Sequence, residues 1–425
     1  MASHLRRRWT AQFEGMSRRD RQACEYDAYL PDPLSGWDLL IPADVAADLA
    51  DAESAVARLN RAGTSHVSLE GLARFLLRAE SVGSSMIEGL VAATRRLVEA
   101  EVALSRGDDA GDRVAVEVLG NIAAMQQAVE VASGNNEFTL DDLLGIHRTL
   151  MDRSPTPQLG GAVREIQNWI GGSSYNPCSA SFVPPPPDRV PDLLSDLVGY
   201  VNGDEHSPLA QAAIAHAQFE TIHPFADGNG RTGRALIHVV LRRRALAPAF
   251  VPPISLVLAT WASTYVEGLM TYRHLAEPDG PERSAAAAEW LRLFGTATHR
   301  ACIDAEHYAT RIDDLTASWR RRLGRVRADS GTERLLSVLP GAPIITVESA
   351  SALIGRSKAR TTDAVNALAE GGILRQRNVG RQRYRVFEAT DVLELFTDLE
   401  RALASPTGDT RDARPVRPTP MRRQP

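Results

Sequence analysis

The sequence predicts a mainly α protein that carries one small β-hairpin and ends in a helical module with a two-stranded ribbon. Three observations lead there. Alanine and leucine are abundant while aromatic residues make up only 6% of the 425, a balance that favours helix over strand. Apolar residues recur at spacings of three and four over long stretches, the period of a helix with one buried face. Glycine and proline crowd into residues 155–187, where they stop helices and mark turns.

In chain order, residues 1–38 show no clear period and are expected to be an irregular arm. From Pro42 onward, Val45, Leu49, Ala52, Val56 and Leu59 share one helix face. A second helix is expected over 69–81, with Leu72, Phe75 and Leu76 inward, and a third over 112–133. Thr139-Leu140-Asp141-Asp142 resembles a capping box, in which side chain and backbone satisfy each other's open donors. It opens a helix carrying Leu143, Leu144, His147 and Leu150. The stretch 163–170 is mixed enough for a short strand or hairpin, and four prolines, Pro184 to Pro187, follow it. Helices resume over 191–201, 207–221 and 231–244.

Residues 245–266 lack charge, but Pro248, Pro252 and Pro253 interrupt them, and a membrane span needs about 20 predominantly apolar residues. A buried loop leading into a helix is expected, with no membrane partner. A long helical region covers 285–325. Helices over 331–339 and 348–353, a turn at Gly355, a helix over 357–370, and two alternating runs flanking Gly380 come next. That order is a winged helix-turn-helix pattern. Residues 404–425 mix prolines with arginines and read as a disordered tail. The expected division is an arm (1–38), an N-terminal helical region (39–110), a core (111–255), a helical connector (256–328), the winged module (329–403) and the tail (404–425).

Charge says little, since 48 basic against 53 acidic residues leave a net charge of -5. Cys24, Cys178 and Cys302 lie far apart, with no CxxC pair. An odd, sparse set reads as reduced thiols in the cytoplasm and argues against a disulfide scaffold or zinc cluster. No apolar segment follows the basic N-terminus, so no secretory signal is expected.

The informative segment runs from His223 to Arg234, HPFADGNGRTGR. It lies between two helical patterns, and Pro224 with the glycines prevents one continuous helix. The loop therefore opens onto a helix N-terminus, whose N–H groups and dipole favour an anion. Gly228 and Gly230 allow close approach of backbone to phosphate. Arg231 and Arg234 share a helix face and suit bidentate contact with phosphate oxygens. Asp227 is a hard ligand for Mg²⁺, Asn229 offers an amide donor, and His223 suits proton acceptance near neutral pH. Base, metal ligand and phosphate cradle together spell phosphoryl or nucleotidyl transfer. Gly228-x-Gly230-x-x-Gly233 also matches a dinucleotide fingerprint, but that motif needs a preceding strand, and an alanine-rich helical pattern precedes this one. HExxH zinc spacing is absent.

These residues resemble the signature of the Fic (Fido) family, HPFx(D/E)GNxRxxR, at every fixed position. The resemblance spans about residues 40–250. It implies a Fic-type helical core that moves AMP from ATP, with Mg²⁺, to a Ser, Thr or Tyr hydroxyl of a target protein. By that match His223 is the general base, Asp227 positions the metal, and Gly228, Asn229, Gly230, Arg231, Gly233 and Arg234 hold the phosphates. The kinase-like branch of the family carries lysine where this chain has Gly230, which favours AMP transfer over phosphorylation. Ser84 to Gly89 match the family's inhibitory pattern (S/T)xxxE(G/N), so Ser84, Glu88 and Gly89 are the expected inhibitory element. In relatives such a glutamate pairs with the second motif arginine, here Arg234; a carboxylate filling that guanidinium fork excludes phosphate. Some relatives also use it to align water for AMP removal. Residues 163–187 resemble the family's flap hairpin, with Trp169, Ile170 and Gly171 at an edge that would pair with an extended target segment.

From Arg356 to Arg385 there are eight basic residues against two acids, a balance of +6. Lys358, Arg360 and Thr361 open the expected recognition helix, and Arg381 and Arg383 sit in the wing. That is a phosphate-contacting footprint, which makes DNA an expected partner; the same module also serves protein contact or dimerisation. A reading from a different class is a DNA-binding transcriptional regulator, or a toxin–antitoxin-type component, whose Fic core senses nucleotide or a partner. The oligomeric state stays open, a homodimer included.

Overall fold

In a computed structural model the described residues are 2–11, 17–18, 20–62, 69–134, 136–275, 280–377 and 385–403. The chain opens with β1 (Ser3–Trp9) and β2 (Cys24–Leu30), antiparallel, with Ser3 opposite Leu30 and Trp9 opposite Cys24. The arm expected to be irregular is thus a hairpin. Three consecutive arginines in β1 mask its alternation, yet Arg6 faces Asp27 across the pair and bonds it at 3.2 Å.

Helices α1 (Ala43–Ala62), α2 (Leu69–Ile87), α3 (Thr94–Ser105), α4 (Arg113–Val131) and α5 (Leu140–Met151) follow. After an irregular stretch come α6 (Val190–Asn202), α7 (Pro208–Ile222) and α8 (Asn229–Arg243). Next are α9 (Ile254–Thr260), α10 (Ala262–Tyr272), the 43-residue α11 (Pro281–Leu323) and α12 (Gly331–Val338). The C-terminal part adds β3 (Ile344–Thr346), α13 (Val347–Ile354), α14 (Lys358–Glu370), β4 (Arg375–Gln376), β5 (Val386–Glu388) and α15 (Thr390–Leu403). The fold is mainly α, as composition and period predict. Among the described residues no helix is long and apolar enough to cross a membrane.

The chain forms two compact units, each assembled from separated stretches. The first holds residues 1–53, 123–246 and 263–296. Its centre is α7, in which every residue from Leu209 to Ile222 is buried, the mark of a helix surrounded on all sides. Five alanines between 210 and 217 keep α7 thin, and α6 and α8 pack on it. Trp290 of α11 donates its ring N–H to Ala213 O at 2.8 Å. Thr139 caps α5 by accepting from the Asp142 N–H, and Asp142 returns the bond to the Thr139 N–H, the expected capping box.

Cys24 and Cys178 are joined as a disulfide across 154 residues, which corrects the expectation of reduced thiols and removes that argument for the cytoplasm. Nothing local in the sequence marks the pairing. The bond ties the start of β2 to the turn at Pro177–Ser179, while Cys302 is free and buried.

The second unit holds residues 54–122, 247–262 and those described from 297 onward. Here α2 runs six residues past its expected end. A Cβ on Gly83 would fall 2.6 Å from the Leu256 backbone nitrogen, so glycine is required where α2 meets α9. The buried Glu80 carboxylate accepts from the Ser255 N–H at 2.7 Å and from its hydroxyl. In the C-terminal part the sheet order is β3-β5-β4, all antiparallel. Strand β3 escapes the sequence reading because its three residues are all buried and show no alternation. Residues 378–384, with Gly380, Arg381 and Arg383, lie outside the described residues, as does the expected tail.

Candidate active site

The segment His223–Arg234 links α7 to α8 within the first unit. Helix α7 stops because His223 is left-handed, with φ 49° and ψ 59°, a region that non-glycine residues seldom occupy. Pro224 disfavours helical geometry in the residue before it. The conformation costs roughly 1–3 kcal/mol, and the surroundings over-determine it. The His223 N–H donates to Phe219 O at 2.9 Å. Its carbonyl accepts from Arg164 Nε at 2.9 Å and Asn168 Nδ2 at 3.3 Å. A second left-handed residue, Gly228 (φ 76°), opens α8. A Cβ there would also crowd Leu150 and Met151, both at 3.1 Å.

Two motif residues, for which phosphate contact is expected, also serve the loop's construction. Asn229 accepts from the Phe225 N–H and donates to the Phe225 carbonyl, both at 2.8 Å, so it staples the loop shut. Gly233 lies where a Cβ would come within 2.8 Å of Phe219 and 2.9 Å of Glu220 Oε1; it lets α8 press on α7. Gly230 sits in the first turn of α8, partly exposed. Arg231 and Arg234 are buried, with Arg231 Nη2 3.9 Å from Asp227 Oδ1. The Asp227 side chain is 54% exposed and its Oδ1 accepts from the Gly228 N–H at 2.6 Å. An exposed carboxylate suits Mg²⁺, which takes most ligands from water and phosphate. Among the described residues no group of three or more His, Cys, Asp or Glu forms a metal cage.

Three residues that shape the loop lie outside the motif, and sequence reasoning gave them no site role. His147 of α5 stacks flat on Phe225, with ring centroids 3.6 Å apart and 4° between planes. Its Nδ1 accepts from the Gly161 N–H at 3.0 Å. That fixes the proton on Nε2, which donates to Asp227 O at 3.0 Å. Burial holds its pKa down at about 4. Arg164 is buried and threads a fan of carbonyls, those of His223, Ile166, Pro185 and Ile222; burial lowers its pKa to about 10, still cationic at neutral pH. Asn168 donates to Phe225 O at 3.1 Å as well as to His223 O.

The expected flap hairpin reduces to a single bridge, Ile170 to Phe182. Trp169 donates its ring N–H to Ser173 O at 2.6 Å and meets Trp9 edge to face at 5.3 Å, so it packs within the unit. Ile170 is 36% exposed. Gly171 is left-handed, φ 75°, against Ser181. The Tyr29 N–H donates to Val183 O at 2.9 Å, so β2 already covers part of this edge.

Ser84, Glu88 and Gly89 belong to the second unit. Ser84 is buried on α2; Glu88, exposed, follows the helix end, and Gly89 (φ 78°) turns the chain away. Of the DNA-contact candidates, Thr361 is fully buried with its hydroxyl donated to Ser357 O at 3.0 Å, which removes it from any contact surface. Lys358 pairs with Glu348, and Arg360 is exposed. Arg356 pairs with Asp329 at 2.8 Å, and Arg377 with Glu99 at 2.5 Å and Glu388 at 3.2 Å. The +6 balance therefore overstates the charge on offer, because partners outside 356–385 neutralise part of it.

The family profile described as Fic/DOC matches residues 137–241, and that of the Fic/DOC N-terminal region matches residues 46–130. A protein adenylyltransferase of Caenorhabditis briggsae is 30% identical over 187 residues, which are 43% of this chain and 35% of that protein. One of Culex quinquefasciatus is 36% identical over 139 residues, 32% of this chain and 26% of that protein. The chain thus spans about a third or less of the length of these curated relatives. A crystal structure of a Fic family protein from Desulfovibrio desulfuricans aligns at a TM-score of 0.47 and 20% identity, covering 82% of this chain and 97% of that one. The profile matches enclose both the His223–Arg234 loop and the Ser84–Gly89 segment, and it is over residues 46–130 and 137–241 that the chain is similar to the Fic/DOC family.

Proposed function

We propose that the chain is a protein adenylyltransferase that moves AMP from ATP to a hydroxyl of a target protein, with Glu88 restraining it. One observation carries the reading: His223, pinned in a left-handed turn, shares a single braced loop with the open carboxylate of Asp227 and the buried Arg231 and Arg234. ATP phosphates would lie against the α8 N-terminus, Gly230 and the two arginines. His223 would take the proton of the target hydroxyl as its oxygen bonds to the α-phosphorus and pyrophosphate leaves. Mg²⁺ held by Asp227 would neutralise phosphate charge. The helical setting of Ser84 and the turn after Glu88 support the inhibitory reading of that segment.

The C-terminal helices and three-stranded sheet are read as a winged helix. Its paired arginines and lysine favour adenylyl transfer, and not DNA regulation, as the chain's main activity. The test uses radiolabelled ATP with lysate or with the protein alone. Glu88→Gly should label strongly, and Glu88→Gly with His223→Ala should not. Labelling that survives loss of His223, or a Glu88→Gly protein that stays dark while shifting DNA, would overturn the proposal.

A further inference from the structure

We propose that Glu220 is a positioning residue for the proton acceptor: its carboxylate sets the ring plane of His223 through Nδ1 and leaves Nε2 facing the substrate hydroxyl. This rests on the AMP-transfer reading and names a part of the site that the signature does not contain.

Glu220 stands three residues before His223, on the last turn of α7. Three-residue spacing puts two side chains on one helix face, and the left-handed turn at His223 folds the ring back over that face. The result places Glu220 Oε2 3.8 Å from His223 Nδ1. The carboxylate side chain is 8% exposed and the imidazole 19%, so solvent screens the pair little. Room for the carboxylate comes from α8: a Cβ on Gly233 would lie 2.9 Å from Glu220 Oε1. Glycine at this position therefore admits Glu220 to the helix interface.

A cation lies beside Glu220. Arg273, half-buried past the end of α10, donates to Glu220 O at 3.2 Å and to the Thr221 hydroxyl at 3.4 Å. Burial lowers its pKa only to about 10, so it stays cationic. His216, one turn earlier on α7, bonds the Tyr265 hydroxyl at 2.8 Å; burial keeps its ring neutral down to about 3, so it supplies no competing charge. An anion facing Nδ1 selects the tautomer with its proton there and a lone pair on Nε2, and favours the imidazolium that forms as the hydroxyl proton arrives. A separation of 3.8 Å is longer than a hydrogen bond, and such contacts tighten when the ring acquires charge.

The experiment compares Glu88→Gly with Glu88→Gly/Glu220→Gln, an isosteric change, following single-turnover labelling from ATP across pH. Loss of the anion makes His223 a weaker base, so the plateau rate should fall roughly tenfold to a hundredfold. The acid limb should move to lower pH, and KM for ATP should stay within about twofold. A plateau that falls with the limb unmoved would mean a structural role only and overturns the proposal, as would an unchanged plateau. NMR titration of the His223 ring gives an answer without any activity: its midpoint must fall in Glu220→Gln. If Glu88→Gly itself fails to label, the adenylyltransferase reading fails, while the ring titration still decides the role of Glu220.

Discussion

Replacing His147 by glutamine should remove an acid-sensitive element from the first unit. His147 is fully buried, with Nδ1 occupied by the Gly161 N–H and the Nε2 proton given to Asp227 O. Adding a proton at Nδ1 breaks the first bond and buries a charge. Burial accordingly holds the ring's pKa at about 4, against about 6.5 in an unfolded chain. Between those values the unfolded state binds the extra proton and the folded state does not. Stability from this group is therefore complete above about pH 6.5 and is lost as the pH falls toward 4. The gap of two to three units corresponds to roughly 3–4 kcal/mol at the acid end, of which about 2–3 kcal/mol is lost between about pH 7 and about pH 4.5. Glutamine keeps an amide donor for Asp227 O and does not titrate. At neutral pH the variant should be weaker by roughly 1–3 kcal/mol, since the Gly161 N–H loses its acceptor. The decisive quantity is the difference between the two pH values. Urea unfolding followed by tryptophan fluorescence should show the wild type losing about 2–3 kcal/mol more than His147→Gln over that interval. Buried His216 titrates in both proteins and cancels. Parallel losses in the two proteins would refute the argument.

Gly233→Ala should lower the melting temperature, because its Cβ would fall 2.8 Å from Phe219 and 2.9 Å from Glu220, an overpacking that costs about 1–3 kcal/mol; a melt equal to wild type would show that α7 and α8 can part cheaply. Cys24→Ser should destabilise the first unit by roughly 2–5 kcal/mol, since the cross-link closes a loop of 154 residues. Peptide mapping without reductant should recover Cys24 joined to Cys178, and finding both as free thiols would remove the basis for that figure.

The parts of the site that were legible in the sequence are those whose chemistry needs several residue types in one short run. His223, Asp227, Arg231 and Arg234 stand out because base, carboxylate and guanidinium occur around glycines at fixed spacing. Their supports were illegible because each acts across a gap. Arg164 lies 59 residues from the carbonyl it holds and His147 lies 80 from Asp227, distances at which no local pattern survives. The same holds for β1 and for the disulfide partner of Cys24, whose pairing is a property of the folded chain. Charge counting failed in the C-terminal part for a related reason. Glu99 of α3 pairs with Arg377, and Glu348 of α13 with Lys358, partners that a window over 356–385 excludes.

The supporting residues also bear on how a loop of backbone would receive the triphosphate of the proposed reaction. An outward carbonyl would repel phosphate oxygen, and here the carbonyls of five loop residues are held by donors. His223 O takes Arg164 Nε and Asn168 Nδ2; Pro224 O takes the Arg164 N–H; Phe225 O takes Asn229 and Asn168; Asp227 O takes His147 Nε2; Gly228 O takes the Thr232 N–H. With those acceptors satisfied, the positive end of α8 faces less opposing carbonyl charge. Asn168 is the most separable of these donors, since it holds two carbonyls at 3.1 and 3.3 Å and belongs to no signature. Asn168→Ala takes one of two side-chain donors from each carbonyl and loosens its inward hold, at a cost of about 1–1.5 kcal/mol. Calorimetry on the Glu88→Gly background should then record a roughly five- to tenfold weaker Kd for ATP. An unchanged Kd would show that the inward carbonyls are not what fits this loop to an anion.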